Sequence, residues 1–271
     1  AVPRRLWMTK TVVEPAATPE IRGAVRHPRG LSTLFFTEMW ERFSYYGMRG
    51  LLVLFMTDGV RGGLGYDDQT ATAIYGLYTA AVYLAALPGG WVSDRLMGAQ
   101  RTVWYGGIVI ACGHFVLAVP NEKAFYLGMV LVVLGTGLLK PNISAIVGDL
   151  YPEGGARRDA GFSIFYMGIN VGAFLSGIVV GSVVAAYDGN WQMGFITAGI
   201  GMLLSLVIQL MFARKLLGDV GVVPSAKASK AMRKNAKDHE PLTPEERDRI
   251  KVIFIMGVFT IIFWAGFEQA G

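Results

Sequence analysis

Six residues inside one apolar stretch carry side chains that water would ordinarily hold. Glu38, Glu41, Arg42, Tyr45, Tyr46 and Arg49 lie within Leu31–Met56. They recur at i, i+3, i+4, i+7, i+8 and i+11, the spacing of a single helical face. The stripe is roughly 16 Å long at about 1.5 Å per residue. The stretch is long enough to cross a bilayer, for which about 20 apolar residues suffice. An ionised side chain at mid-bilayer costs at least about 2.5–3.5 kcal/mol, so such charges are expected to be paired and to serve a purpose. A carboxylate that exchanges one cation for another changes its affinity for a proton. That is chemistry for a proton-driven machine. The plainer alternative is self-paired charge that only fixes helix packing.

Further groups of this kind follow. Lys140 sits near the middle of an apolar run in GTGLLKPNISAIVGDLYP, directly before Pro141. A lysine so far from either end needs a partner, and Glu38 and Glu41 are the nearest chemical candidates. Proline frees backbone carbonyls and kinks a helix there. Asn170, in GFSIFYMGINVGAFLSG, suits either contact with a polar ligand or packing. Around it Gly168, Gly172 and Ser176, and likewise Gly177 and Gly181, have the four-residue spacing of close helix packing. Trp264 and Glu268 in FWAGFEQAG share a helical face. Glu38, Glu41 and Glu268 then balance Arg42, Arg49 and Lys140. In GGWVSDRLMGAQR, Asp94, Arg95 and Arg101 stand among glycines that permit a tight turn. Asp94 is expected to pair with a basic group or helix end, a latch that breaks in another conformation; an ordinary polar turn is the alternative.

The elements that must position these groups are membrane spans. Hydrophobic residues make up 53% of the chain, charged residues 17%, and mean hydropathy is +0.43, which is a membrane composition. Apolar runs predict spans near 31–56, 70–92, 102–119, 124–147, 160–186 and 191–213, with a seventh beginning near Ile250. The expected organisation is a cytoplasmic tail over 1–30, a six-helix bundle over 31–213, a polar linker over 214–249 and the first helix of a second bundle over 250–271. Thr243-Pro244-Glu245-Glu246 reads as a helix start, with Thr243 as cap and Glu246 closing a capping box. Six Lys/Arg fall in the tail and ten in the linker with its flanks, whereas Arg61 and Lys123 alone fall on the opposite side. The excess of basic residues puts the N-terminus in the cytoplasm.

Several function classes are thereby set aside. The net charge of +5 is explained by topology, so no nucleic-acid partner is expected. His27, His114 and His239 lack metal-ligand spacing, and Cys112 has no second cysteine to pair with. There is no Gly-rich phosphate loop and no GxSxG elbow. Neither a metal nor a cofactor is expected, and the chain does not read as an enzyme.

The residues EMWERFSYYG, Glu38 to Gly47, resemble the ExxERFxYYG signature of the proton-dependent oligopeptide transporter family of the major facilitator superfamily. The likeness extends to GGWVSDR, GLLKPNISAIVGDLY, RRDAGFSIFYMGINVGAF and FWAGFEQAG, and so to essentially all of residues 31–271. It implies an all-α membrane protein with a major facilitator-type N-terminal six-helix bundle, a linker and a seventh transmembrane helix. It implies proton coupling through Glu38, Glu41, Arg42, Lys140 and Glu268. Arg49 and Lys140 would face a peptide carboxylate. Tyr45, Tyr46, Tyr83 and Trp264 would line the pocket, Asn170 would contact the peptide backbone, and Glu268 would pair with Arg49. Spans one and two hold no histidine, unlike animal members, so carboxylates must carry the proton step.

The expectation is a symporter importing di- and tripeptides with protons, by alternating access across a prokaryotic plasma membrane. Its partners are the peptide, protons, the lipid bilayer and a C-terminal bundle beyond Gly271. The rivals are a same-family carrier of nitrate or another small anion, a drug/proton antiporter, a seven-span receptor and a membrane-embedded enzyme. A dense cationic site suits carboxylates better than drugs. A retinal receptor needs a lysine in span seven, and Ile253–Gly271 has none.

Overall fold

The computed structural model describes residues 26–226 and 243–270, apart from the side chains at 264, 265 and 267–270. The chain forms two units, Ala1–Ala226 and Lys227–Gly271. Residues 1–25 of the tail and 227–242 of the linker, His239 included, lie outside the described residues. Among those described there are helices and no strands.

The first unit contains α1 (Gly30–Thr57), α2 (Asp68–Val92), α3 (Ala99–Leu117), α4 (Glu122–Asp149), α5 (Gly155–Ala186) and α6 (Trp191–Ile208). Each covers an expected span to within a few residues. Two helices run on through π-helical turns, α2 over Ser93–Met97 and α6 over Gln209–Ala213. With these extensions, α2, α4, α5 and α6 are long and apolar enough to cross a membrane. The protein is an all-α integral membrane protein. Its outward faces agree: Leu77, Leu87, Phe174 and Leu210 are all more than two-thirds exposed, where water would penalise them and lipid does not.

α1 is the central helix. Eighteen of its 28 residues are buried, against seven of 32 in α5. It packs mainly on α5 and α6, while α4 packs on α2 and α3. The seams are made by glycine, because lipid-soluble helices gain little from the hydrophobic effect and depend on close approach. Gly106 and Gly113 of α3 meet the backbone of Gly135 and Gly128 of α4. Gly168 and Gly172 of α5 lie against the α1 backbone at Phe35 and Met39. Gly177 and Gly181, which share the expected spacing, meet open space instead. They fall on the side of α5 turned away from α1, so among the described residues they make no helix contact.

α4 contains Pro141 and stays helical through it. Proline has no N–H to give the carbonyl of Gly137. That carbonyl is where Gly89 of α2 approaches so closely that a Cβ would not fit. Asn142 Nδ2 donates to Leu138 O (2.7 Å) and to Gly89 O (3.3 Å), tying the same turn to α2.

At the opposite end, α1 stops at Asp58. Its carboxylate accepts from Val60 N (2.9 Å), Arg61 N (3.2 Å) and Trp191 Nε1 (2.6 Å). These donors, the Val60 amide foremost, hold the carboxyl below its ordinary value of 3.8. In the second unit, α7 (Pro244–Ala270) begins with the expected capping box. Glu246 N donates to Thr243 Oγ1 (3.2 Å) and Thr243 N donates to Glu246 Oε2 (2.9 Å).

Gly113→Leu is expected to destabilise the protein by about 1–3 kcal/mol through overpacking. Gly177→Leu, made at an open position, is expected to leave the melting temperature unchanged. Asp58→Asn is expected to lower the melting temperature near neutral pH. A carboxyl with a lowered folded pKa stabilises above its unfolded value and loses that effect as pH falls through the lowered one. Melts across acidic pH should therefore show the difference from the parent shrinking.

Candidate functional site

The stripe on α1 is divided by its surroundings. Glu38, Glu41 and Arg42 are 2%, 1% and 2% exposed, so the charged end is sealed in the bundle. Tyr45 is also buried, whereas Tyr46 and Arg49 are half-buried. Arg42 holds both acids. Its Nη2 donates to Glu41 Oε1 (2.9 Å), and its Nε lies 3.0 Å from Glu38 Oε1. The guanidinium also sits over the Tyr45 ring, 5.0 Å from its centroid. Arg42 Nε also lies 2.5 Å from Glu41 Oε2, which leaves Glu38 Oε2 as the carboxylate oxygen of the pair that is buried with no partner among the described residues. Two carboxylates and one guanidinium leave one net negative charge when all are ionised. A proton or an arriving cation is what such a cluster lacks.

Lys140 of α4 is half-buried. Its Nζ lies 5.1 Å from the centroid of Tyr83, a cation–π contact with α2. It acts electrostatically on Glu38 but makes no ion pair among the described residues. The expected Lys140–carboxylate pair is thus not closed in this conformation, because Arg42 occupies both acids. Arg49 donates from Nε to Tyr75 Oη and faces that ring, 5.3 Å from its centroid.

The sequence reading did not single out Tyr75 and Tyr78 of α2. Tyr78 is buried, its hydroxyl lacks a partner among the described residues, and it interacts electrostatically with Tyr45, Glu41 and Arg42. The signal was present: Tyr75 and Tyr78 are three apart and share a helical face. A third missed contact is buried His114 of α3, whose Nε2 is 2.7 Å from Ser44 Oγ of α1.

Of the remaining expected residues, none of those in the first unit bonds to this cluster among the described residues. Asn170 is exposed, and its Nδ2 donates to Tyr166 O of its own helix (3.0 Å). Trp264 and Glu268 fall in α7, but their side chains are outside those described. Among the described residues Asp94 meets no cation, but it does reach a helix start, since its partner Ser225 and the following Ala226 are helical. Its Oδ1 accepts from Ser225 Oγ (2.6 Å), joining the turn after α2 to the stretch after α6. Gly98 beside it has φ 81° and packs on the carbonyl of Val222, so a side chain is excluded twice over. Arg95 and Arg101 are exposed and form no ion pair among the described residues.

The POT family profile matches residues 100–216. An uncharacterized transporter of Bacillus subtilis, YclF, is 52% identical over 202 residues, 74% of this chain and 41% of that protein. A di-/tripeptide transporter of Lactococcus lactis is 45% identical over 212 residues, 77% of this chain and 42% of that protein. The crystal structure of peptide transporter POT in complex with sulfate superposes with a TM-score of 0.70 at 48% identity, over 90% of this chain and 46% of that one. The chain belongs to the POT family. It spans about two-fifths of the length of the curated relatives it matches. Its POT-family fold is the major facilitator-type helical bundle expected from the motifs. A POT-family transporter crystallised with 5-aminolevulinic acid superposes equally well, with a TM-score of 0.71 at 40% identity.

Removing the one cation from a buried pair of acids is costly, whereas removing one acid is not. Arg42→Gln is expected to destabilise the protein by about 3–5 kcal/mol. Glu38→Gln should be nearly neutral, and adding it to Arg42→Gln should recover part of the loss. Melts of the single and double variants check the cycle.

Proposed function

We propose that the protein containing this chain is a proton-coupled symporter that imports di- and tripeptides by alternating access. The observation that carries this reading is the sealed Glu38–Glu41–Arg42 cluster, one proton short of neutrality, beside a lysine that no carboxylate holds in this conformation. Protonation of Glu38 or Glu41 would weaken the grip of Arg42 and redistribute the local charge. Lys140 and Arg49 would then take the peptide carboxylate. Tyr45, Tyr46, Tyr75 and Tyr83 supply hydroxyls and ring faces near those cations, and Asn170 and Trp264 complete the pocket by resemblance. Glu268 would couple a proton to Arg49 from the second bundle. Contacts directed at the peptide backbone and its termini would leave the side chains free to vary. Asp94, Arg95 and Arg101 would belong to the latch between conformations.

The coupling ion is the proton, with no metal or cofactor. The N-terminus and the linker lie in the cytoplasm of a bacterial plasma membrane, and a C-terminal helical bundle completes the substrate cavity. Support comes from the balance of basic residues, from bacterial relatives named as peptide transporters, and from the carboxylate-bearing ligand in one structural relative.

Proteoliposomes with an alkaline interior should accumulate dialanine, and accumulation should stop when the proton gradient is collapsed. Lys140→Ala should reduce this uptake by about tenfold or more, equivalent to about 1.4 kcal/mol or more of lost interaction. Gradient-driven uptake that persists unchanged in Lys140→Ala removes the lysine from the mechanism. Absence of dialanine uptake by folded protein moves the substrate to another small anion.

A further inference from the structure

A cavity of about 340 Å³, lined by none of Glu38, Glu41 and Arg42, lies at the end of the bundle where α1 begins. It is ligand-sized, since small-molecule sites start near roughly 300 Å³. Its walls come from the first turns of α1, the start of α3 and the π-helical turn after α6. It shares no residue with the proposed peptide site.

Three features of the wall are chemically unbalanced. Thr33, Thr37 and Gln209 line the cavity and are 3%, 0% and 8% exposed. Thr33 Oγ1, Thr37 Oγ1 and Gln209 Nε2 have no hydrogen-bond partner. Such buried orphans are costly, and a bound polar group would remove that cost. Arg101 and Arg214 also line the cavity and are exposed, so its rim is cationic. Leu34, Val103, Ile146, Leu210 and Leu217 make the rest of the wall apolar. Leu210 is 71% exposed and Tyr105 50%, so the cavity opens on the outer surface of the bundle, where acyl chains lie. The π-helical turn Gln209–Ala213, which supplies Gln209 and Leu210, is a distortion that tends to mark functional sites.

We propose that this cavity binds an anionic phospholipid, with the phosphate between Arg101 and Arg214 and the glycerol ester region against Thr33, Thr37 and Gln209. A free phosphate would satisfy the arginines but gain nothing from the apolar wall. A zwitterionic lipid would bring its own cation to a rim that already carries two. The placement of this lipid in the cytoplasmic leaflet rests on the orientation proposed above; the binding itself does not.

The test is native mass spectrometry of the delipidated, detergent-purified protein with dioleoylphosphatidylglycerol, dioleoylphosphatidylcholine or dioleoylglycerol. One phosphatidylglycerol adduct is expected to survive activation that strips the other two. Arg101→Gln with Arg214→Gln should lower the retained fraction by about tenfold, and Arg101→Lys with Arg214→Lys should keep most of it. Thr37→Val with Gln209→Leu should lower it about threefold. Equal retention of phosphatidylglycerol and phosphatidylcholine, or full retention by the Arg→Gln pair, overturns the proposal. So does inorganic phosphate raising the melting temperature as much as phosphatidylglycerol does, which would make this a soluble-anion site. The readout involves no transport, so a failed lipid adduct and a failed dialanine uptake are separate results.

Discussion

One guanidinium holds the interior of this bundle together. Arg42 is buried beside two buried carboxylates, in a protein whose outer surface faces lipid. None of the three could be sealed there alone, since an unpaired charge in such surroundings costs several kcal/mol. The cluster therefore fixes how α1 is rotated, because any other rotation would present an ion to acyl chains. Once α1 is fixed, the faces of its neighbours follow. α5 must offer its small residues where the α1 backbone passes, and α2 must turn Tyr75 and Tyr78 toward the charged stripe.

Much of this was legible in the sequence. Helix α1 was expected over 31–56 and covers Gly30–Thr57. The capping box at Thr243 was expected from four residues and occurs as two reciprocal hydrogen bonds. Both are local, governed by periodicity or by groups three residues apart. Partner choice among buried ions was not legible. Glu38 and Glu41 had three cations to choose from, and Arg42 wins because it is on the same helix, one and four residues away. Lys140 comes from another helix and finds the ring of Tyr83. The glycines of α5 teach the same lesson. Gly168 and Gly181 look alike in the sequence, but among the described residues only the first has a helix beside it.

The bundle is held by backbone contacts as much as by side chains. Along α3 and α4 the glycines repeat every seven residues, Gly106 and Gly113 opposite Gly135 and Gly128. In this antiparallel pair each glycine faces its counterpart, so the seam stays closed over two turns. The polar end of the bundle is organised differently. There Gln100 donates from Nε2 to Gly218 O (3.0 Å) and Val220 O (2.6 Å), and the turn after α2 leans on the stretch after α6. Glycine seams resist separation along their whole length, whereas these few polar ties can be exchanged one at a time.

The order Lys140-Pro141-Asn142 has a mechanical meaning. The proline removes one rung from the α4 ladder, so the rod is most compliant at that level. The asparagine anchors the turn to the α2 backbone, which makes a fulcrum on one side of the soft point. The ammonium is applied immediately on the other side. A change in the electric force on that single charge is therefore delivered where α4 bends most easily, with α2 as the fixed support. Moving the lysine one turn either way would keep the charge and lose the lever.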